Sequence, residues 1–501
     1  MTGAKRYHPL LILFDLWKLI RNSGFIALFL FVIKAGSDSY FIIYGRLIFL
    51  LVFGISLISI VLKWFTHKYV LDDVSFHLYK GVFNKTEQTV PFAKIQNVHR
   101  HTSLFHRLFK VTSIHFETGM AGDDAAVKFE VISPAEADRM EAKIAGADRE
   151  GRAEHLNGGD LEQAACQTAL PRQISNRSIH FEPTRKDIIK ASFTSLSFLV
   201  LIPILGSLYS KIDDIFHVEK QAEGLFKSIL SSWWMITIII IVLAVASTAF
   251  GIVRTFLKYG KYQISSDQDR IYISKGVLDE TAFSISKERV QAVIISQSLM
   301  KRWLGLAEVK LISAGSAGNE ELGGNSLYPY LPVRRAYEMV SEILPGYEVS
   351  QNMLRLPAKS LWMRMLRPSW IWILATAALF YFKPTVWKME QAWWMLSIAL
   401  LILVVMSRLL DFFNTRYLLK DHFIQFKTGS LATNLFVSKR EKVIEVHITR
   451  SLFQKWMGLA SIETINRAKP VHHASVTDVP LEAARSFYHW YGGRQNDIKV
   501  E

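Results

Sequence analysis

The chain has 501 residues, half of them hydrophobic and only 21% charged, a composition that sets it apart from soluble chains and points to the membrane. Its formal charge of +15 sits beside hydrophobic stretches rather than on one helix or strand face, which fits anionic lipid headgroups and argues against nucleic acid as a partner. Cys166 is the only cysteine, so an intramolecular disulfide and a cysteine-based metal cluster are excluded.

The N-terminal segment HPLLILFDLWKLIR is interrupted by Asp15, Lys18 and Arg21 and reads as an amphipathic lead-in lying at the bilayer interface. Six hydrophobic stretches follow along the chain, at residues 24–33, 41–64, 191–208, 229–252, 370–382 and 392–409. A span needs roughly 20 apolar residues, which four stretches supply directly and the first and fifth supply with their flanks. They are expected to form three transmembrane hairpins, and no cleavable signal peptide is apparent.

A strand-rich block follows the first hairpin. Residues 74–78 alternate and meet Lys80-Gly81, where glycine supplies a positive φ for a hairpin turn. The run VPFAKIQNVHRHTSLFHRLFKV comes next, in which Ser103 can cap a short helix and Leu104 and Leu108 share one face expected to join the core. A strand, VTSIHFET, leads to Pro134, which opens a closing helix because its missing N–H has no helical partner there. The polar, aperiodic stretch around Cys166 is a linker.

The same block returns after each later hairpin, as SISKERVQAVIISQSLMKRWLGL and as KREKVIEVHITRSLFQKWMGL, with closing helices opened by Pro332 and Pro480. Gly81, Gly276 and Gly429 lie 195 and then 153 residues apart. Those shifts also superpose Lys94/Arg289/Lys442, Ser103/Ser298/Ser451, Leu104/Leu299/Leu452 and Arg107/Arg302/Lys455 without a gap. A repeat in fixed register means three copies of one structural unit.

Lysine and arginine cluster on the side of the spans that carries both termini and all three blocks, from Lys5 and Arg6 to Arg408 and Arg416. The positive-inside rule therefore places the termini and the blocks in the cytoplasm.

Few residues carry a chemical signature. His99, His101 and His106 suggest a metal site, but the aligned positions in the second block are Ile294, Ser296 and Lys301, and no carboxylate or cysteine cluster accompanies them. His472-His473 is a lone pair. No nucleophile motif, phosphate-binding loop or dinucleotide fingerprint occurs, and the middles of the spans lack ionisable groups, so neither an enzyme nor a pump is expected and no metal or cofactor is assigned. Arg46, near an outer end, is placed to snorkel. The aligned cations Arg107, Arg302 and Lys455 are the candidate interaction residues, for lipid phosphate or a partner carboxylate, with the solvated polar edge of the short helix as the alternative reading.

Two spans, then K-I-Q-x-V at Lys94-Ile95-Gln96 and Val98, then S-L-x-x-R-L at Ser103-Leu104 and Arg107-Leu108, resemble the bacterial pleckstrin-homology (YdbS/YdbT-like) membrane proteins. Arg289-Val290-Gln291 with Val293 matches nearly as well, whereas the third copy has Ile444 in place of the glutamine. The resemblance covers essentially the whole chain. It implies a mixed membrane protein of six transmembrane helices in three hairpins, alternating with three PH-like β-sandwich or barrel domains, each capped by a C-terminal helix. The expected divisions are 1–66 lead-in and first hairpin, 67–146 first PH-like domain, 147–182 linker, 183–256 second hairpin, 257–346 second domain, 357–412 third hairpin and 413–492 third domain. Phosphoinositide binding is not expected, because the first loop of each unit carries acid: Asp72-Asp73, Asp267 and Asp269, and Lys420-Asp421. The resemblance further implies a smaller YdbS-like PH-domain membrane protein as partner, beside membrane lipids, and a role in envelope maintenance or tolerance of membrane-active peptides. The alternative is a transporter or lipid-handling conduit formed by the hairpins.

Overall fold

Alternating apolar residues and a glycine turn build one strand pattern three times in the computed structural model, which describes residues 4–34, 36, 39–81, 85–118, 126–156, 177–194, 233–314, 326–383, 392–468 and 470–496. The first block comprises β1 (Lys5–Arg6), α1 (Leu10–Leu28), α2 (Tyr40–Thr66), β2 (Lys68–Leu71), β3 (Ser75–Lys80), β4 (Thr86–Pro91), β5 (Ile95–Thr102), α3 (Leu104–Leu108), β6 (Thr112–Thr118), β7 (Ala126–Ile132) and α4 (Pro134–Leu156). The second has β8 (Ser178–Phe181), α5 (Arg185–Thr194), α6 (Trp233–Tyr259), β9 (Gln263–Ser266), β10 (Arg270–Lys275), β11 (Glu280–Ser286), β12 (Val290–Gln297), α7 (Leu299–Trp303), β13 (Leu306–Ser313), β14 (Ser326–Pro332) and α8 (Val333–Ile343). The third has β15 (Leu354–Arg355), α9 (Ala358–Leu366), α10 (Trp370–Phe382), α11 (Ala392–Asn414), β16 (Arg416–Lys420), β17 (Phe423–Thr428), β18 (Thr433–Lys439), β19 (Val443–Thr449), α12 (Leu452–Met457), β20 (Leu459–Asn466), β21 (His472–Pro480) and α13 (Leu481–Gly492).

Among the described residues, four helical segments are long and apolar enough to cross a bilayer: Leu10–Ile33, Tyr40–Thr66, Ala358–Phe382 and Ala392–Asn414. The 27-residue α6 takes in residues 233–252 of the fourth expected stretch, whose first four residues lie outside the described residues, as does most of the third stretch. The lead-in is not a separate interfacial helix. α1 runs from Leu10 straight into a π-helical turn, Phe29–Ile33, because its interrupting charges find partners: Asp15 lies 3.8 Å from Lys63 of α2 and Lys18 lies 3.5 Å from Glu130 of β7. The guanidinium of Arg46 donates to the carbonyls of Leu30 and Lys34 and satisfies the open end of that turn. Pro368 separates α9 from α10, as a proline without an N–H must.

By its contacts the chain divides into two units, residues 1–176 with 278–285, and residues 177–277 with 286–501. In the first unit, one sheet runs β1-β2-β3-β4 and the other β7-β6-β5-β11. Phe76, Leu78, Val90, Phe92, Ile114, Phe116 and Phe129 fill the space between them, and Ala137, Met140 and Ile144 of α4 close it, so the block is a helix-capped sandwich. In the second unit, β14-β13-β12-β18-β17-β16-β15 form a seven-stranded sheet and β19-β20-β21 a three-stranded one. The third core lies between Phe426, Phe436, Val443, Ile462 and Val476, capped by Phe487 and Trp490 of α13.

Successive blocks complete one another. The strand β11 of the second block pairs antiparallel with β5 of the first, and β18 of the third pairs with β12 of the second. Asn97 lies opposite Ile285 and Ala292 opposite Ser438, and the repeat spacings carry one pair onto the other, so the two junctions share one register. Gly81, Gly276 and Gly429 have φ of 109°, 99° and 118°, as the turns before these strands require. A Cβ at Gly429 would strike the carbonyl of Ala432.

Candidate interaction surface

Each short helix begins at an aligned serine whose hydroxyl accepts from the backbone N–H three residues on: Ser103 from His106, Ser298 from Lys301 and Ser451 from Gln454. The cap fixes the helix just after β5, β12 or β19, and in the first two blocks the candidate cation reaches the next block. Arg107 pairs with Glu280 of β11 at 2.6 Å, and the Leu104 N–H donates to Asp279 at 3.3 Å. Arg302 donates to the carbonyls of Ser430 and Leu431, at 3.1 and 3.4 Å, in the turn before β18, and to Asn414 at the end of α11 at 3.4 Å. Lys455 differs from both: its ammonium is exposed and makes no bond to any described residue.

The three strands beside these helices repeat the contrast. Most of β5 and β12 is buried under the incoming strand, whereas in β19 all but Val443 and Val446 are exposed, Ile444 and Ile448 included. The outer strand β4 of the first sheet is also open, with Thr86, Glu87 and Thr89 exposed.

Two of the three histidines serve the first junction, and His106 serves its own block. His99 stacks on Phe283 and approaches Glu117 at 3.3 Å, and His101 bonds Thr281 at 3.2 Å. His106 bonds Ser103 at 2.6 Å and the Glu130 carbonyl at 3.0 Å. Burial pushes the opposing His115 down to about 4, with Lys128 and His99 adding positive charge. No group of three or more metal-ligating side chains occurs among the described residues.

The expected core face of the short helices is not core. Leu452 and Trp456 are 82% and 84% exposed and Leu108 and Trp303 are 76% and 75% exposed. Two of these helices touch the long apolar helices: Phe105 packs on Phe14 of α1, and Arg302 reaches the last residue of α11. Residues four apart share a face, but the spacing does not say what that face meets.

A buried polar cluster, invisible in the sequence, fastens the third hairpin to its block. Asp478, fully buried, accepts from Arg367 at 2.8 and 2.9 Å and from Gln454 at 2.8 Å, while Arg364 pairs with Asp411 at 2.5 Å and with Thr415 at 3.1 Å. The only sequence signal was an arginine pair beside a proline. The acidic first loops are occupied locally: Asp73 holds Lys143, and Asp267 accepts from the N–H groups of Asp269 and Arg270. In the third block a cleft of about 500 Å³ mixes Lys420 and Lys439 with Glu348, Asp421 and Glu441, which is no selective anion site.

These features define a class: apolar helices carrying PH-like units that share sheets from one block to the next. The chain belongs to the bacterial PH domain family, which it matches over residues 24–148, 200–345 and 371–495. It is 21% identical, over 99% of its length and the whole of the relative, to a UPF0699 transmembrane protein, YdbT, of Bacillus subtilis strain 168. No solved structure matches it.

Proposed function

We propose that the chain is a non-enzymatic, multi-pass membrane scaffold whose three PH-like units face the cytoplasm and hold other membrane proteins, a smaller YdbS-like PH-domain protein first among them, in envelope maintenance or tolerance of membrane-active peptides. The observation that carries this reading is the use of PH-unit surfaces for strand pairing: within the chain, blocks already recognise one another through an edge strand and an aligned cation. A partner with the same unit can use the same chemistry. Polar groups of the third hairpin are spent on its own packing, Thr376 on Ser397 at 2.7 Å and Trp372 on the Ser397 carbonyl at 3.1 Å, which favours the scaffold over a conduit lined by them.

Arg302 is committed to the third block, so reversing its charge tests folding; Lys455 is the residue whose reversal tests partner binding. The full chain, captured from solubilised membranes, is expected to bring a membrane protein with a PH-type unit in a fixed ratio. Lys455→Glu should lower that ratio while insertion and yield stay normal, since an exposed reversal costs folding less than about 0.5 kcal/mol. A chain that brings no such protein, but loses activity in cells on Ser397→Leu, would establish the conduit instead.

A further inference from the structure

Building on the scaffold reading, we infer that the open edge of β19 is a docking site for one β-strand of a separate PH-type polypeptide, carrying a carboxylate opposite Arg450 and an apolar residue opposite Ile448. The first two blocks show what such an edge receives. β5 takes β11 and β12 takes β18 in one register, and repeating that register on β19 sets the incoming strand antiparallel to residues 445–450. Backbone pairing supplies affinity at such an edge, and the alternating side chains supply choice.

The choice is readable from the two junctions. The position opposite Thr102 is Glu280, whose carboxylate meets Arg107, and the equivalents of Thr102 and Arg107 in the third block are Arg450 and Lys455. Both are basic, so the acid is called for more strongly there than in the first block. The position opposite Ile295 is Leu435, and the equivalent of Ile295 is the exposed Ile448.

A second copy of this chain fits badly. Its own open strand, β4, would place Lys85 opposite Arg450 and near Lys455, and Glu87 opposite Ile448. Like charges at an interface and a carboxylate against an apolar side chain both disfavour the pairing, so the two loose edges of one chain are designed against each other as well as for a partner. An edge strand that exposes Ile444 and Ile448 is otherwise an aggregation hazard.

The test uses the full chain in lipid nanodiscs, with Cys166→Ser and Ile448→Cys. The probe is a synthetic peptide of residues 278–286 with Ala282→Cys, since Ala282 lies opposite Arg100, the equivalent of Ile448. Disulfide trapping is expected at position 448 and not with Ile444→Cys, which lies beyond the register. Changing Glu280→Lys in the peptide should slow trapping by about tenfold, and Lys455→Glu in the chain should restore much of it, a charge swap that a purely structural role would not produce. Equal trapping at 444 and 448, or indifference to the charge swap, overturns the inference. Mixed chains carrying Ile448→Cys and Glu87→Cys are expected to stay monomeric; a disulfide dimer between them would overturn it in favour of a second copy. If trapping fails while a PH-type protein still co-purifies, the edge is wrong and the scaffold stands; if trapping follows the register while no protein co-purifies, the edge stands and the scaffold falls.

Discussion

Asp478 sits at φ 66°, in left-handed backbone that an L-residue adopts rarely, with its side chain fully buried. It holds that conformation because Arg367, Gln454 and, at 3.6 Å, Arg364 surround its carboxylate, while its own carbonyl accepts from Ser360. Removing one partner of a buried ionic network leaves the others uncompensated, which costs about 3–5 kcal/mol. Asp478→Ala should therefore lower the thermal midpoint of the detergent-solubilised chain strongly, while Asp421→Ala, on the rim of the cleft, should leave it within about 0.5 kcal/mol of the parent. Equal midpoints for the two variants would show that the cluster does not hold the third hairpin to its block. No reading of residue types could find this site, since Arg364, Asp411, Gln454 and Asp478 come together only once the hairpin has docked. The turn glycines and the helix-capping serines, by contrast, were legible because each answers a local backbone need that three aligned copies repeat.

At the scale of elements, the three short helices separate what spacing reveals from what it hides. The spacing of Leu452 and Trp456 placed both on one face correctly; it could not say what that face meets. Their exposure, together with the contacts of Phe105 to α1 and of Arg302 to α11, leads to the prediction that the face rests in the headgroup region. A nitroxide at Leu452→Cys, in Cys166→Ser nanodiscs, should collide more with membrane-soluble oxygen than with a water-soluble nickel complex. A nitroxide at Arg485→Cys, exposed on α13, should show the opposite order. Greater nickel accessibility at 452 would place the helix in water and leave its apolar face for a protein. The continuity of α1 was missed for a related reason: Asp15 and Lys18 look like interruptions until Lys63 and Glu130 answer them.

At the scale of the whole molecule, the repeat made the number and order of the blocks legible, and it could not disclose which strands pair. A strand such as 280–286 carries the same alternation whether it closes its own sheet or its neighbour's, so periodicity is silent on the exchange. The exchange has a thermodynamic consequence. Residues 257–346, expected as one domain, give β11 to β5 of the first block and take β18 from the third, so the fragment alone would expose the edge of β12 and leave β11 without its acceptor. It would also lose the strand that covers Ala292, Val293 and Ile295, all buried in the chain. An isolated piece that must expose both backbone edges and apolar side chains lacks the burial needed to offset its conformational entropy. The fragment 257–346 should accordingly melt without a cooperative transition by far-ultraviolet circular dichroism, and residues 415–439 added in trans, which supply β16, β17 and β18, should sharpen the transition. A steep, concentration-independent melt of the fragment alone would mean that each block closes on itself, and the shared sheets would then lose their place as the pattern a partner copies.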